Sequence, residues 1–190
     1  MIAISTNTLT AQQNQSTSDT HQRTYFAQPY SLDANGFYFT DMEEYQSKYD
    51  ANRDSFGLPV EEYEIQFIDG GNEEGELFQA AGVDQCTLPR FLEIIDELPG
   101  YQQAALFYLL QQGRDLEDAL NNCDEVQISH ESLEDAAKSF FDEIYGHEIP
   151  EHLQSYIDYS AFANDLRCNG DFVEFEFAGE TYTCTNANSL

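Results

Sequence analysis

The stretch Thr87-Leu88-Pro89-Arg90-Phe91-Leu92-Glu93-Ile94-Ile95-Asp96-Glu97-Leu98-Pro99-Gly100 decides how the chain divides. Leu88, Phe91, Leu92, Ile95 and Leu98 recur at helical spacing, which predicts one apolar stripe. Thr87 stands where an N-cap belongs, Pro89 fits a first helical turn, and Pro99-Gly100 ends the helix. Tyr101 to Gln112 continues as a second helix stopped at Gly113, and Asp115 opens a third through Leu120. Three short helices in succession predict a small helical bundle in the middle of the chain.

Outward from this centre both flanks mix strands with helices. Upstream, Thr24 to Gln28 and Phe37 to Phe39 read as strands and Asp41 to Asn52 as a helix capped by Asp41 or Thr40. Tyr63, Ile65 and Phe67 alternate with Glu64 and Gln66, the pattern of a half-buried strand. Asp69 to Gly75 reads as a glycine-rich acidic loop. Downstream, Val126 and Ile128 predict a strand, and Ser132 caps a helix carrying Leu133, Ala136, Ala137, Phe140, Phe141 and Ile144. Pro150 starts another helix, with Leu153, Tyr156, Ile157 and Ala161 inward. Phe172, Phe175 and Phe177, a turn at Ala178-Gly179, then Tyr182 and Cys184 form a closing hairpin. The expected class is α+β in three small consecutive domains. Residues 1–23 form a disordered polar extension, 24–84 an α+β domain, 85–122 the helical domain and 123–190 a second α+β domain.

Charge narrows the function. The 190 residues carry 36 Asp+Glu against 7 Lys+Arg, a formal net charge of -29. A duplex bears roughly one negative charge per 1.7 Å of axis, so nucleic acid is excluded as a partner by repulsion. An anionic membrane is disfavoured likewise, and no run approaches the roughly 18 apolar residues of a spanning helix. The chain is not an acidic disordered polymer either, because 41% of it is hydrophobic, with 14 Phe and 12 Tyr. Residues 1–24 are electrically neutral, so the whole net charge lies on the part expected to fold. The acids are interleaved with apolar positions rather than gathered into a tail.

Chemistry-bearing motifs are scarce. Cys86, Cys123, Cys168 and Cys184 form no CxxC pair, and the N-terminus has no secretory signal, which together predict reduced thiols in the cytoplasm. Asn14-Gln15-Ser16 is then a chance glycosylation match. His21, His130, His147 and His152 sit in no HExxH or zinc spacing, and no GxSxG, P-loop or GxGxxG occurs. The loop Asp69 to Gly75 invites a calcium reading but breaks the EF-hand pattern at Gly71 and Glu74. No catalytic residue, metal or cofactor is expected.

The acids themselves are the candidate site. Glu93, Asp96 and Glu97 share a helix face opposite the apolar stripe, and Glu131, Glu134, Asp135 and Asp142 are grouped on the later helix. Asp115, Glu117 and Asp118 open the third central helix, while Glu61, Glu62 and Glu64 precede or occupy the alternating strand. Only two lysines, Lys48 and Lys138, are available to intersperse them. The net charge equals that of roughly 50 Å of duplex, whereas a compact body of this size is roughly 40 Å across. The two charge densities are comparable, which permits DNA mimicry; the alternatives are a halophilic surface on an ordinary domain, or a mimic aimed at a CRISPR effector or a nucleoid protein.

One segment carries a resemblance. Ile149-Pro150-Glu151-His152-Leu153-Gln154-Ser155-Tyr156-Ile157-Asp158-Tyr159-Ser160-Ala161-Phe162-Ala163-Asn164-Asp165-Leu166, followed by Cys168-Asn169-Gly170-Asp171-Phe172, resembles the antirestriction family ArdA. Thr24-Tyr25-Phe26-Ala27, Glu61-Glu62-Tyr63-Glu64-Ile65 and Glu97-Leu98-Pro99 resemble its opening strand, its E-E-Y-x-I strand and its E-L-P turn. The similarity spans about residues 24–185 and leaves residues 1–23 as an addition. Ile65-Gln66-Phe67-Ile68-Asp69-Gly70 departs from the family's usual I-H-D-Y-E-like segment. The resemblance implies an elongated, non-enzymatic DNA mimic that dimerises through its C-terminal part. It also implies a Type I restriction-modification enzyme, at its methyltransferase core, as the partner, on behalf of mobile-element or phage DNA. Tyr156, Tyr159 and Phe162 are candidates for the dimer interface or for the core near it.

Overall fold

The computed structural model describes residues 23–190. The polar N-terminal stretch, with Asn14 and His21, lies outside the described residues. A first antiparallel sheet has the order β2-β1-β3, from β1 (Thr24–Pro29), β2 (Phe37–Phe39) and β3 (Tyr63–Asp69). Its register sets Tyr25 opposite Phe39 and Phe67, and Ala27 opposite Phe37 and Ile65. Period-two alternation therefore buries Tyr25, Ala27, Phe39, Tyr63 and Ile65 on one face. Two helices carry apolar residues to that core. In α1 (Met42–Ala51) the Asp41 carboxylate accepts the Glu44 N–H at 2.8 Å, as an N-cap should, and Tyr45 packs on Phe39. In α2 (Asn72–Ala81) Leu77 is fully buried and Phe78 lies against Tyr25 and Phe67.

Helix α2 corrects the loop expected from Asp69 to Gly75. Only Gly70 and Gly71 separate β3 from it. Gly75 sits inside the helix because a Cβ there would stand 2.9 Å from the Phe67 ring. The glycine that looked like a loop marker is a close-packing position between helix and strand.

The central helices are α3 (Leu88–Glu97), α4 (Gly100–Gln111) and α5 (Leu116–Asn122). On α3 the buried stripe is Leu88, Phe91, Leu92 and Ile94, with Ile95 only half-buried. Thr87 does not cap α3 through its side chain; its hydroxyl accepts the Asp84 N–H, while the Asp84 carboxylate accepts the N–H groups of Cys86 and Thr87. Helix α4 is buried on every side from Ala104 to Leu110, the pattern of a helix inside a core rather than on a surface. It packs against α2 on one side and against β4 (Ile128–Ser129) and β5 (Val173–Phe177) on the other.

Strand β6 (Glu180–Cys184) joins β4 and β5 into a second antiparallel sheet, order β4-β6-β5. The β5–β6 hairpin turns on Ala178 and Gly179, both at positive φ (56° and 82°), which matches the twist of the flanking strands. Phe175 and Phe177 lie on Phe107 and Tyr108 of α4. One cluster of buried side chains thus runs from β1 through α4 to Cys184, across residues 84/85 and 122/123.

A second, smaller cluster joins α6 (Leu133–Ile144) to α8 (Tyr159–Asn169) through Ala136, Ala137, Ala163, Leu166 and Phe172. Ser132 caps α6, accepting the Asp135 N–H, and Ile144 at its end is exposed. The helix expected from Pro150 is two helices. Short α7 (Glu151–Gln154) ends at Ser155, and Asp158 caps α8 by accepting the Ala161 N–H at 2.9 Å. This break leaves Leu153, Tyr156 and Ala161 exposed. Mixed helices with two small sheets make the fold α+β.

Candidate acidic binding surface

Helix ends explain how a folded body tolerates so much charge of one sign. Glu43 and Glu44, Glu73 and Glu74, Glu117 and Asp118, and Glu134 and Asp135 occupy the first turns of α1, α2, α5 and α6. There the free N–H groups and the helix dipole favour anions. Asp41, Asp115 and Asp158 are themselves N-caps.

Helix α3 does the reverse: Asp96 and Glu97 sit in its last turn, where the dipole opposes them. Arg23 offsets this. Its guanidinium forks onto Asp96, with nitrogen–oxygen distances of 2.8 and 2.9 Å, and reaches Glu74 at 4.0 Å. Assigned by sequence to the polar extension, Arg23 belongs to the folded body. Bonding to Asp96 raises its pKa against the opposing effect of burial.

The nominated carboxylates divide into two kinds. Some are held by neighbours. Glu93 and Glu117 both contact Arg90 at 3.2 Å, and Arg114 reaches Asp118 at 3.4 Å. Glu131 accepts from the Ser129 hydroxyl, Asp135 from the Ser132 hydroxyl and Asp142 from the Tyr159 hydroxyl. Glu61, Glu62, Glu64, Glu97 and Glu134 are exposed with no side-chain hydrogen-bond or ion-pair partner among the described residues. Across the described residues, six of 35 carboxylates lie within 4.0 Å of a Lys or Arg. Arg53 and Arg167 donate to backbone carbonyls and to Asn164 instead. Most of the acidic surface is therefore uncompensated. Exposed pairs of the kind Arg90 makes contribute little to stability, because solvent screens them.

Geometry brings Glu131, Asp135 and Asp142 together. They line an open cleft of about 490 Å³ with His130, Lys138, Ser139 and Glu180. Asp135, Lys138, Ser139 and Asp142 follow helical spacing along one face of α6. Glu134 is exposed one residue off that face and does not line the cleft. Lys138 stands between the two aspartates, its ammonium 5.6 Å from the Tyr159 ring centre. Glu180 was missed by sequence reasoning because it enters from β6; His130, stacked on Tyr182, accompanies it at 3.2 Å. Glu93, Asp96 and Glu117 gather instead around Arg90 and Arg23. The spacings Arg90–Glu93 and Arg114–Asp118 are i,i+3 and i,i+4, a signal present in the sequence.

Of the interface candidates, Tyr156 is 83% exposed. Tyr159 is half-buried against Phe141, and Phe162 packs on Phe140 and Phe141 at the edge of the second core.

Glu74 is an acid of a different kind, buried beneath the surface where Tyr25 donates its hydroxyl to it. Burial pushes the Glu74 carboxyl pKa up, against the lowering effects of Tyr25 and Arg23. A raised pKa means that the folded state binds more protons than the unfolded state above pH 4.5. The stability Glu74 contributes is complete below that pH and is lost as pH rises through its folded value. Gln at this position keeps an acceptor for Tyr25 and removes the titration. Glu74→Gln is expected to gain stability relative to wild type between pH 4.5 and pH 8, read from urea midpoints at both pH values.

Among the described residues no group of three or more His, Cys, Asp or Glu side chains is arranged to hold a metal, and no helix is long and apolar enough to cross a membrane. No curated protein matches the chain. A model of the family described as Antirestriction protein (ArdA) matches residues 3–179, which brings most of the N-terminal stretch inside the family's span rather than leaving it as an addition. With the match covering most of its length, the chain belongs to the ArdA antirestriction protein family.

Proposed function

We propose that the protein is a non-enzymatic inhibitor that occupies the DNA-binding groove of a Type I restriction-modification enzyme, at its methyltransferase core. The observation that carries this reading is the excess of exposed carboxylates without a cation beside them, fixed on helix and strand faces of a folded body. Carboxylates on rigid elements can stand where phosphates stand. Asp135 and Asp142, seven residues apart on α6, are separated by about 10.5 Å of axial rise, close to three base steps of about 3.4 Å along one strand. Each of the segments 24–84, 85–122 and 123–190 carries part of this charge. Incoming mobile-element or phage DNA would then be spared in the host cytoplasm.

The C-terminal segment is proposed to form a homodimer contact centred on Tyr156, beside the exposed Leu153. Tyr159 and Phe162 support that contact from the second core.

Competition tests the mimic reading. A labelled cognate duplex bound to a Type I methyltransferase core is expected to be released stoichiometrically by this protein at low salt. Retention of the duplex at saturating protein would sink the reading, and capture of a different DNA-binding protein from host lysate would redirect it.

A further inference from the structure

One end of the first sheet carries an apolar surface that charge does not explain. Pro29, the last residue of β1, pairs with Tyr63, the first of β3, so the loops beyond them leave the same sheet end. The two loops are tied together: the Ser55 N–H donates to the Asp33 carbonyl at 2.8 Å, and the Tyr30 N–H to the Glu62 carbonyl at 3.2 Å. They present Tyr30 (66% exposed), Leu32 (fully exposed), Phe56 (76%) and Leu58 (61%). Their exposed areas sum to on the order of 500 Å², in the range of the largest apolar patch on an ordinary monomer, which is often functional.

The patch is held in shape. The Asp54 carboxylate accepts the N–H groups of Phe56 and Leu58 at 2.9 and 2.8 Å. Gly57, at φ +83°, completes the turn. A fixed presentation lowers the ordering entropy lost on binding. The rim is acidic: Asp54, Glu61 and Glu62 line a depression with Tyr30, Asp33 lies in the tied loop, and Arg53 is turned back onto the carbonyls of Asp50 and Asn52.

We propose that this patch is a hydrophobic anchor for a basic protein surface that carries an apolar pocket. The acidic rim complements the basic surround, and the aromatic and leucine side chains fill the pocket. The inference rests on the mimic reading and adds contact energy that does not depend on salt. Aromatic anchors ringed by polar contacts hold most of the energy of protein interfaces.

Salt dependence separates anchor from mimic. Duplex displacement from a Type I methyltransferase core is measured for wild type and Phe56→Ser/Leu58→Ser at several salt concentrations. The variant is expected to bind about 30-fold more weakly at every salt concentration, with the slope of log affinity against log salt unchanged. Its thermal midpoint should match wild type, since both side chains are exposed; Tyr30→Ser/Leu32→Ser on the other loop should repeat the effect. Equal affinity of wild type and both variants overturns the anchor and leaves the mimic standing. A changed slope overturns it too, since the patch would then act through charge. So does a change in the sedimentation of the free protein, which would assign the patch to contact between copies. Failure of wild type to displace duplex overturns the mimic reading, and the anchor falls with it.

Discussion

Raising salt from about 50 to about 200 mM is expected to weaken displacement of duplex by this protein on the order of 10²–10³-fold. Proteins that neutralise about six to ten phosphates lose about 10³–10⁵ over that range. The carboxylates here are spread over a closed surface, so fewer counterions are held and released, and the lower figure follows. The same distribution makes the effect collective. Neutralising one acid, such as Glu97→Gln, should change affinity only a few-fold. Neutralising Glu61, Glu62 and Glu64 together should flatten the slope, because these three carboxylates have no side-chain partner to lose. Asp96→Asn should behave differently again, since it leaves Arg23 without its forked partner and costs stability as well as charge. Titration across salt with unfolding curves for each variant distinguishes the cases. A flat salt profile for wild type would contradict a charge-carried interaction.

Phe177→Ala is expected to cost about 3–5 kcal/mol, a large part of the roughly 5–15 kcal/mol that holds a domain folded. Phe177 is only 1% exposed, with its ring centre 4.8 Å from that of Phe107 on α4. Removing it opens a cavity where the hairpin meets the central helix. Because the same core continues through α4 to Leu77, Phe91 and Tyr25, the loss should lower the urea midpoint for the whole body, with the slope unchanged. Near-ultraviolet signal and far-ultraviolet signal should shift together. If only the hairpin melted and the remainder kept its wild-type midpoint, the continuous core would not be one cooperative unit.

Local signals were legible wherever a residue type acts on its own backbone. Asp41, Asp115 and Ser132 stand before helices and cap them, because a side-chain oxygen there reaches an N–H three residues on. Tyr63-Glu64-Ile65 alternates and is a strand; Ala178-Gly179 turns a hairpin. The misses have a common cause. Gly75 suits a loop by propensity, yet it lies in a helix because Phe67, on a neighbouring strand, leaves no room for a Cβ. Tyr156 and Ala161 fit one helical stripe with Leu153, yet Asp158 captures the Ala161 N–H and starts a new helix. Arg23 follows a polar stretch in sequence, yet Asp96, seventy-three positions away, holds it in the fold.

The candidate site divides along the same line. Composition by itself determined that the surface must be strongly acidic, since seven Lys and Arg cannot cover 36 Asp and Glu whatever the fold. The family segment from Ile149 to Leu166 was equally legible, being contiguous. Which carboxylates stand bare, which Arg90, Arg114 and Arg23 cover, and how Glu180 joins Asp135 and Asp142 in one cleft were decided only by tertiary structure. Net charge is a sum over residues and needs no coordinates. Pairing falls off within a few ångströms, so it depends on which distant elements the core brings into contact.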